Sequence, residues 1–424
     1  MLANELKKIL SDGGLEKHCD LYSDIPRQTE RLLVAIEKFE ELFGEGRDIY
    51  LLSVPGRSEI IGNHTDHNGG RVLAGAIDRD IIAVCSRNDS EMINLVSEGF
   101  SPDKVDLKTV DSPDNFDGYS SASLIAGLAK GFLNSGYKVG GFDAYTTTEV
   151  LKGSGISSSA AFEVMIGNIL NHLYNDGAVE NKEIAKLSQF AENVYFGKPS
   201  GLMDQMACAV GGFVFIDFAD PRYPVVEPIG FSLKGAGYSL CIVNTGGNHA
   251  DLNDDYASVP GEMKAVAREL SASVLSGISE ETVIANIPKL RESVGDRAIL
   301  RALHFVRENK RVLAAKEALL TGNVSKFLSV VSESGRSSFE YLQNVYTNKN
   351  VNEQGLSLAL ALADGFIAPD SGAFRVHGGG FAGTIQVFVK SEELGRFVEF
   401  IDGVLGAGSA MALNIRPKGA VRLF

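Results

Sequence analysis

The run Leu151-Lys-Gly-Ser-Gly-Ile-Ser-Ser-Ser-Ala-Ala161 constrains this chain more than any other feature. The Thr-rich, alternating stretch Gly141 to Val150 precedes it and reads as a strand. A helical pattern follows, with Val164, Met165, Ile166, Ile169 and Leu173 on its apolar positions. The chain therefore passes from strand to helix through a loop of small residues. Glycine amides can crowd around an anion because no Cβ intervenes. The helix N-terminus adds free donors and the positive end of a dipole. The G-x-x-x-x-G-K-[ST] spacing of a Walker loop is missing. One reading is a serine capping the helix after a tight turn. The two glycines and three consecutive serines favour anion binding.

That anion must be held by local groups, because the chain carries 40 Lys+Arg against 54 Asp+Glu, a net charge of −14. Such a balance gives no general pull toward nucleic acid or an anionic membrane. The 424 residues suggest two or three domains, and 44% hydrophobic content supplies sizeable cores. The four cysteines, Cys19, Cys85, Cys208 and Cys241, form no Cys-x-x-Cys pair. They read as buried small hydrophobes in a reducing compartment. No apolar run approaches the ~20 residues of a membrane span, and residues 1–8 carry no export signal. The expected location is cytoplasmic.

Helix is expected over residues 2–43, 118–135, 157–173, 182–194, 260–344 and 394–405. Strands are expected at 48–54, 72–84, 141–150, 213–218, 238–244, 373–376, 384–389 and 410–415. Pro55-Gly56 should break the first strand, and residues 57–71 should form a polar loop. Asp78-Arg79-Asp80 should interrupt the second strand. The best domain boundary lies near 218–228, giving domains 1–220 and 221–424 with the site in the cleft between them.

Three further stretches are dense in chemistry. Pro55 to Gly70 gathers Arg57, Glu59, Asn63, His64, Asp66, His67 and Asn68, donors and acceptors suited to a polyhydroxylated ligand. His64-x-x-His67 beside Asp66 is weak evidence for a metal. Gly201-Leu-Met-Asp204-Gln205, with Glu192 upstream, could be an ordinary turn. Val376-His-Gly-Gly-Gly-Phe-Ala-Gly-Thr384 is a Gly-rich bend between strands that allows close backbone approach.

Together and in this order, these elements resemble the GHMP small-molecule kinases, and within them the galactokinase family. His249 to Tyr256 and Arg301 to Arg311 add two more matching segments. The resemblance implies an α+β, two-domain GHMP kinase fold. Its N-terminal domain would be ribosomal-protein-S5-like and its C-terminal domain ferredoxin-like. It implies ATP and Mg²⁺ as cofactors, a small-molecule sugar as substrate and no obligatory protein partner. The implied reaction phosphorylates the C1 hydroxyl of galactose. Asp204 would be the catalytic carboxylate with Arg57 beside it. Gly153, Ser154, Gly155, Ile156, Ser157, Ser158 and Ser159 would bind ATP, and Ser159 and Glu192 the metal. Asn63, His64, Asp66, Gly201 and Tyr256 would meet the sugar. The chain departs from the family pattern at several places. Asn63 stands where galactokinases usually carry Glu, near the sugar C6 hydroxyl. His67 replaces a Tyr, Leu151 a Pro and Ala382 a Gly, and the arginines that usually follow Tyr256 are missing. Alternatives are a kinase for a galactose-like sugar such as galacturonate or arabinose, or a catalytically idle sugar sensor. Retention of Arg57, Asp204 and the three serines argues against idleness.

Overall fold

The structure, a computed structural model, describes residues 1–150, 155–198, 200–220, 222–247 and 252–424. Among these, twelve strands form two sheets, with helices interleaved, an α+β arrangement. The larger sheet holds β1 (Tyr50–Ile61), β2 (Arg71–Arg87), β3 (Met92–Ser97), β4 (Asp103–Asp106), β5 (Phe142–Thr148), β6 (Phe213–Asp217) and β7 (Val225–Ile229). The smaller, antiparallel sheet holds β8 (Tyr238–Asn244), β9 (Ala373–His377), β10 (Thr384–Lys390) and β11 (Ala410–Leu413), in the order β11-β8-β10-β9. β12 (Val421–Arg422) returns to the larger sheet, where Leu52 pairs with Arg422 and Ser53 with Val421.

The larger sheet is covered on both faces. Leu52, Val54, Ala83 and Cys85 face one core, with the Ser158–Tyr174 and Met203–Val210 helices among the elements over it. Leu51, Ile82 and Val84, the alternate residues, face a second core built with the Ala3–Ser11 and Ile25–Phe43 helices. That alternation is the period-two geometry of a strand. The Gly355–Phe366 and Leu394–Leu405 helices pack on the smaller sheet. The Asp296–Leu320 helix lies against β1 and β2, and its neighbour Val324–Ser337 packs on β9.

Several expectations are corrected. β1 does not stop at Pro55-Gly56 but runs on through Arg57 to Ile61. The Asp78–Asp80 stretch is a bulge inside a continuous β2: Pro55 pairs with Asp80, and Arg57 next pairs with Ala76. A bulge accommodates a proline inside a ladder. Residues 2–43 are two helices, the second capped by Asp24, whose carboxylate accepts from Arg27 N. The 182–194 helix ends in a π turn, Ala191–Phe196. β3, β4, β7 and β12 lie outside the expected strands. Cys19 is exposed, unlike the other three cysteines.

Candidate active site

The site is built around a pair that the sequence separates by 147 residues. The strand carries Arg57 past the bulge, and its guanidinium grips Asp204 at both oxygens. Nε donates to Oδ1 at 2.7 Å and Nη2 to Oδ2 at 2.8 Å. The third arm, Nη1, donates to Gly155 O at 2.6 Å. This fork geometry is what distinguishes Arg from Lys. Gly56 makes the approach possible, because a Cβ there would sit 2.7 Å from Ile156 O. Arg57 N donates to that same carbonyl at 3.1 Å. Asp204 itself lies in the first turn of the Met203–Val210 helix, where the helix dipole favours an anion. A third of its side-chain surface remains open.

Ser157 completes the pair. It adopts φ 58°, ψ 62° ahead of the Ser158–Tyr174 helix and gives that helix no side-chain cap. Its hydroxyl donates to Asp204 Oδ2 at 2.5 Å instead. Burial is the largest influence on Asp204 and pushes its pKa up. The Arg57 cation and the hydrogen bonds from Arg57 and Ser157 outweigh it, so the carboxyl sits below its ordinary range. Gly153 and Ser154, two of the expected phosphate-loop residues, lie outside the described residues, as do Leu151 and Lys152.

A second carboxylate group lies alongside. Glu192, buried at the π turn, receives Lys198 Nζ at 2.8 Å, Ser200 Oγ at 2.5 Å and Gln205 Nε2 at 2.7 Å. Gln205 Nε2 also donates to Glu163 Oε2 at 3.0 Å. Glu163 is fully buried, and its Oε1 has no hydrogen-bond partner. Burial, then the charge of Glu192, holds the Glu163 carboxyl well above its usual range. Ser159, one helical turn before Glu163, is exposed. Among the described residues, no three His, Cys, Asp or Glu side chains converge as a ready metal cage.

The Gly378–Gly380 bend draws the remaining candidates together. Asn63 Nδ2 donates to Gly378 O at 2.7 Å and to Glu59 Oε1 at 2.9 Å, while its Oδ1 accepts from Asn344 Nδ2 at 2.7 Å. His64 Nε2 donates to Gly379 O at 2.9 Å. Tyr256 donates to Gly380 O at 2.9 Å and meets Phe381 edge-on. The segment before it, His249 to Asp251, lies outside the described residues. A relay runs back from His64: Asn68 Nδ2 donates to His67 Nδ1 at 2.8 Å, and His67 Nε2 lies 3.4 Å from His64 Nδ1. Both rings are thus neutral, each with its proton on Nε2. Asp66 packs on Gly201 so closely that a Cβ there would stand 2.5 Å from Oδ2. Burial first, and Asp204 nearby, raise the pKa of Asp66. The two aspartates are therefore driven in opposite directions.

Some partners escaped the sequence reading. His377, at the head of the Gly-rich bend, lies 3.0 Å from both Ser58 Oγ and Thr384 Oγ1, and a Cβ on Gly155 would come 3.1 Å from its Nδ1. Only its place beside the glycines signalled it. Glu163 and Lys198 gave no signal.

Comparison with known proteins identifies the family. Residues 37–87 match the galactokinase galactose-binding signature, and residues 120–212 match the GHMP kinases N terminal domain. The fold is that of the GHMP small-molecule kinases: mevalonate kinase superposes with a TM-score of 0.60 at 15% identity, over 87% of this chain and 99% of that one. Galactokinase from Lactococcus lactis, solved with galactose, superposes with a TM-score of 0.77 at 26% identity, over 92% of this chain and all of that one. The galactokinase of Streptomyces coelicolor is 30% identical over 89% of this chain and 94% of its own length. That of Enterococcus faecalis is 30% identical over 88% and 93%. The chain belongs to the galactokinase family. No helix among the described residues is long and apolar enough to cross a membrane.

Proposed function

We propose that this protein transfers the γ-phosphoryl group of ATP to the C1 hydroxyl of galactose. The observation that carries the reading is the Arg57–Asp204 fork, tied to Gly155 and Ser157 of the phosphate loop. Residues 1–220 and 221–424 would form the two domains, β7 and β12 of the second completing the sheet of the first, and substrates would meet in the cleft between them.

Asp204 and Arg57 are the catalytic pair. Phosphoryl transfer runs through a loose transition state, so positioning and charge stabilisation do most of the work. Asp204, held ionised, orients the C1 hydroxyl and accepts its proton late, as the new O–P bond forms. Arg57 keeps Asp204 ionised and faces the charge on the transferring group. Gly153 to Ser159 hold the ATP phosphates through backbone amides and hydroxyls. His64, Asp66, Gly201 and Tyr256 surround the sugar, and Asn63 shapes that pocket from behind.

Ser159 and Glu192 would hold Mg²⁺. The donor set fits: Mg²⁺ takes one or two carboxylates and fills its remaining positions with water and phosphate oxygen. The unpartnered Glu163 Oε1 and Gln205 Oε1 add oxygen beside Glu192. When bound, the ion screens the negative charge of the phosphates.

The test is ADP release from ATP across a panel of galactose, arabinose and galacturonate. Turnover greatest with galactose supports the reading. No ADP release with any sugar would leave a sensor, and preference for another sugar would reassign the substrate.

A further inference from the structure

The segment Arg301 to Arg311 had no role in the reaction just described, yet one face of its helix grips the loop that carries His64 and Asp66. His304 is fully buried. Its Nδ1 accepts from Ser337 Oγ at 2.9 Å, and its Nε2 donates to Asn63 O at 3.0 Å. One turn on, Glu308 is also fully buried, and its Oε1 accepts from Gly62 N at 3.1 Å. Arg311 Nε fixes Glu308 Oε2 at 2.7 Å, and Ser334 donates to Oε1. Beside it, Asn309 Oδ1 accepts from Arg71 N at 2.6 Å, at the far end of the same loop.

Those bonds fall around an uncommon backbone turn. His64 has φ 57°, a left-handed conformation that a residue with a Cβ rarely adopts, and it follows Gly62, whose φ of 112° only glycine takes readily. Strain of that kind persists only where the surroundings over-determine it. The bonds to Gly62 N and Asn63 O bracket the turn into His64, and the bond to Arg71 N closes the loop.

We propose that His304, Glu308 and Asn309 are positioning residues that hold the 62–71 loop in its sugar-binding shape and so set sugar affinity without touching nucleotide. The proposal rests on the galactokinase reading above.

His304→Gln and His304→Asn separate this role from simple stability. A Gln amide reaches as far as Nε2 and can donate to Asn63 O, whereas Asn reaches only as far as Nδ1 and leaves that carbonyl without its donor. Equilibrium dialysis with galactose should give a Kd within about threefold of wild type for the Gln variant. The Asn variant should be weaker by about tenfold or more, as for a buried acceptor left unpaired. KM for ATP should stay within about twofold in both. The half-buried Asn309→Ala should weaken galactose several-fold in the same assay and keeps the test alive if neither His304 variant folds. Wild-type protein that bound no galactose would overturn the kinase reading and this proposal with it. Wild-type binding together with equal Kd in the Gln and Asn variants, or an unchanged Kd in Asn309→Ala, would overturn the proposal alone.

Discussion

The hydroxyl of Ser157 stands 2.5 Å from Asp204 Oδ2, so a serine placed to cap a helix serves a carboxylate 47 residues away. The first turn of the Ser158–Tyr174 helix thus keeps its backbone donors free of a serine cap, which is what an anion-binding loop requires. The same contact helps hold Asp204 ionised. In the proposed reaction, phosphate binding and carboxylate activation would be coupled through this one side chain.

Asp204→Asn preserves shape and removes the charge. Turnover should fall by roughly two to four decades, the range for a positioned acid–base group. Galactose binding should change little. Unchanged kcat in the Asn variant would remove Asp204 from the mechanism.

Gly155→Val tests the loop. Gly155 has φ 75°, and a Cβ would meet Thr384 Oγ1 at 3.0 Å and His377 Nδ1 at 3.1 Å. KM for ATP should rise at least about tenfold through lost backbone approach, with galactose Kd nearly constant. Normal ATP saturation in the Val variant would reduce this turn to a structural one.

Asn63 is 1% exposed, and both polar ends of its amide are already engaged. Asn63→Glu would set a second buried carboxylate against Glu59, at a cost of about 3 kcal/mol or more in denaturant unfolding. Adding Glu59→Gln should restore most of it by exchanging the amide and the acid. The restored pair should also discriminate between galactose, 6-deoxygalactose and galacturonate more sharply than wild type, measured as kcat/KM. An Asn63→Glu single variant as stable as wild type, or identical sugar ratios, would count against a Glu59–Asn63 unit.

Burial, the largest influence, holds His64 down at about 4 and His67 at about 3. A histidine in the unfolded chain titrates near 6.5. As pH falls, the unfolded state takes up protons first, so stability is complete above about 6.5 and drains away toward about 4 for His64 and about 3 for His67. At pH 5 each ring contributes a loss of up to roughly 2 kcal/mol. The urea midpoint should be clearly lower at pH 5.0 than at pH 7.5, and an equal or higher midpoint would mean that the Asn68–His67–His64 relay does not hold both rings neutral.

What the sequence displayed was local. Gly155 and Ser157 of the 151–161 run, the Asp of Gly201–Gln205 and the polar density of 55–70 are legible because neighbours in the chain are neighbours in the site. What it hid was long-range. Nothing near Ser58 announces His377, nothing near Asn63 announces His304, and Lys198 reads as any surface lysine until it is found 2.8 Å from Glu192. Pro55-Gly56 is a strong local stop, so the sequence alone ends the first strand at residue 54, whereas it runs to Ile61. The compensating bulge lies on another strand, at Asp78–Asp80, and only pairing reveals it.

The return of β12 to the larger sheet bears on how the chain is made. Val421 and Arg422 lie against Leu52 and Ser53, and fully buried Arg416 bonds Ser53 Oγ at 2.7 Å and Asp80 at 3.2 Å. A nascent chain that stops short of residue 416 presents a larger sheet without its outer strand β12 and a buried Asp80 without one of its two arginines. Domains commonly fold in order of synthesis. Here a sheet begun by β1 and β2 is completed by a strand from far along the chain, so removing residues 416–424 should injure the part of the molecule built on residues 50–87.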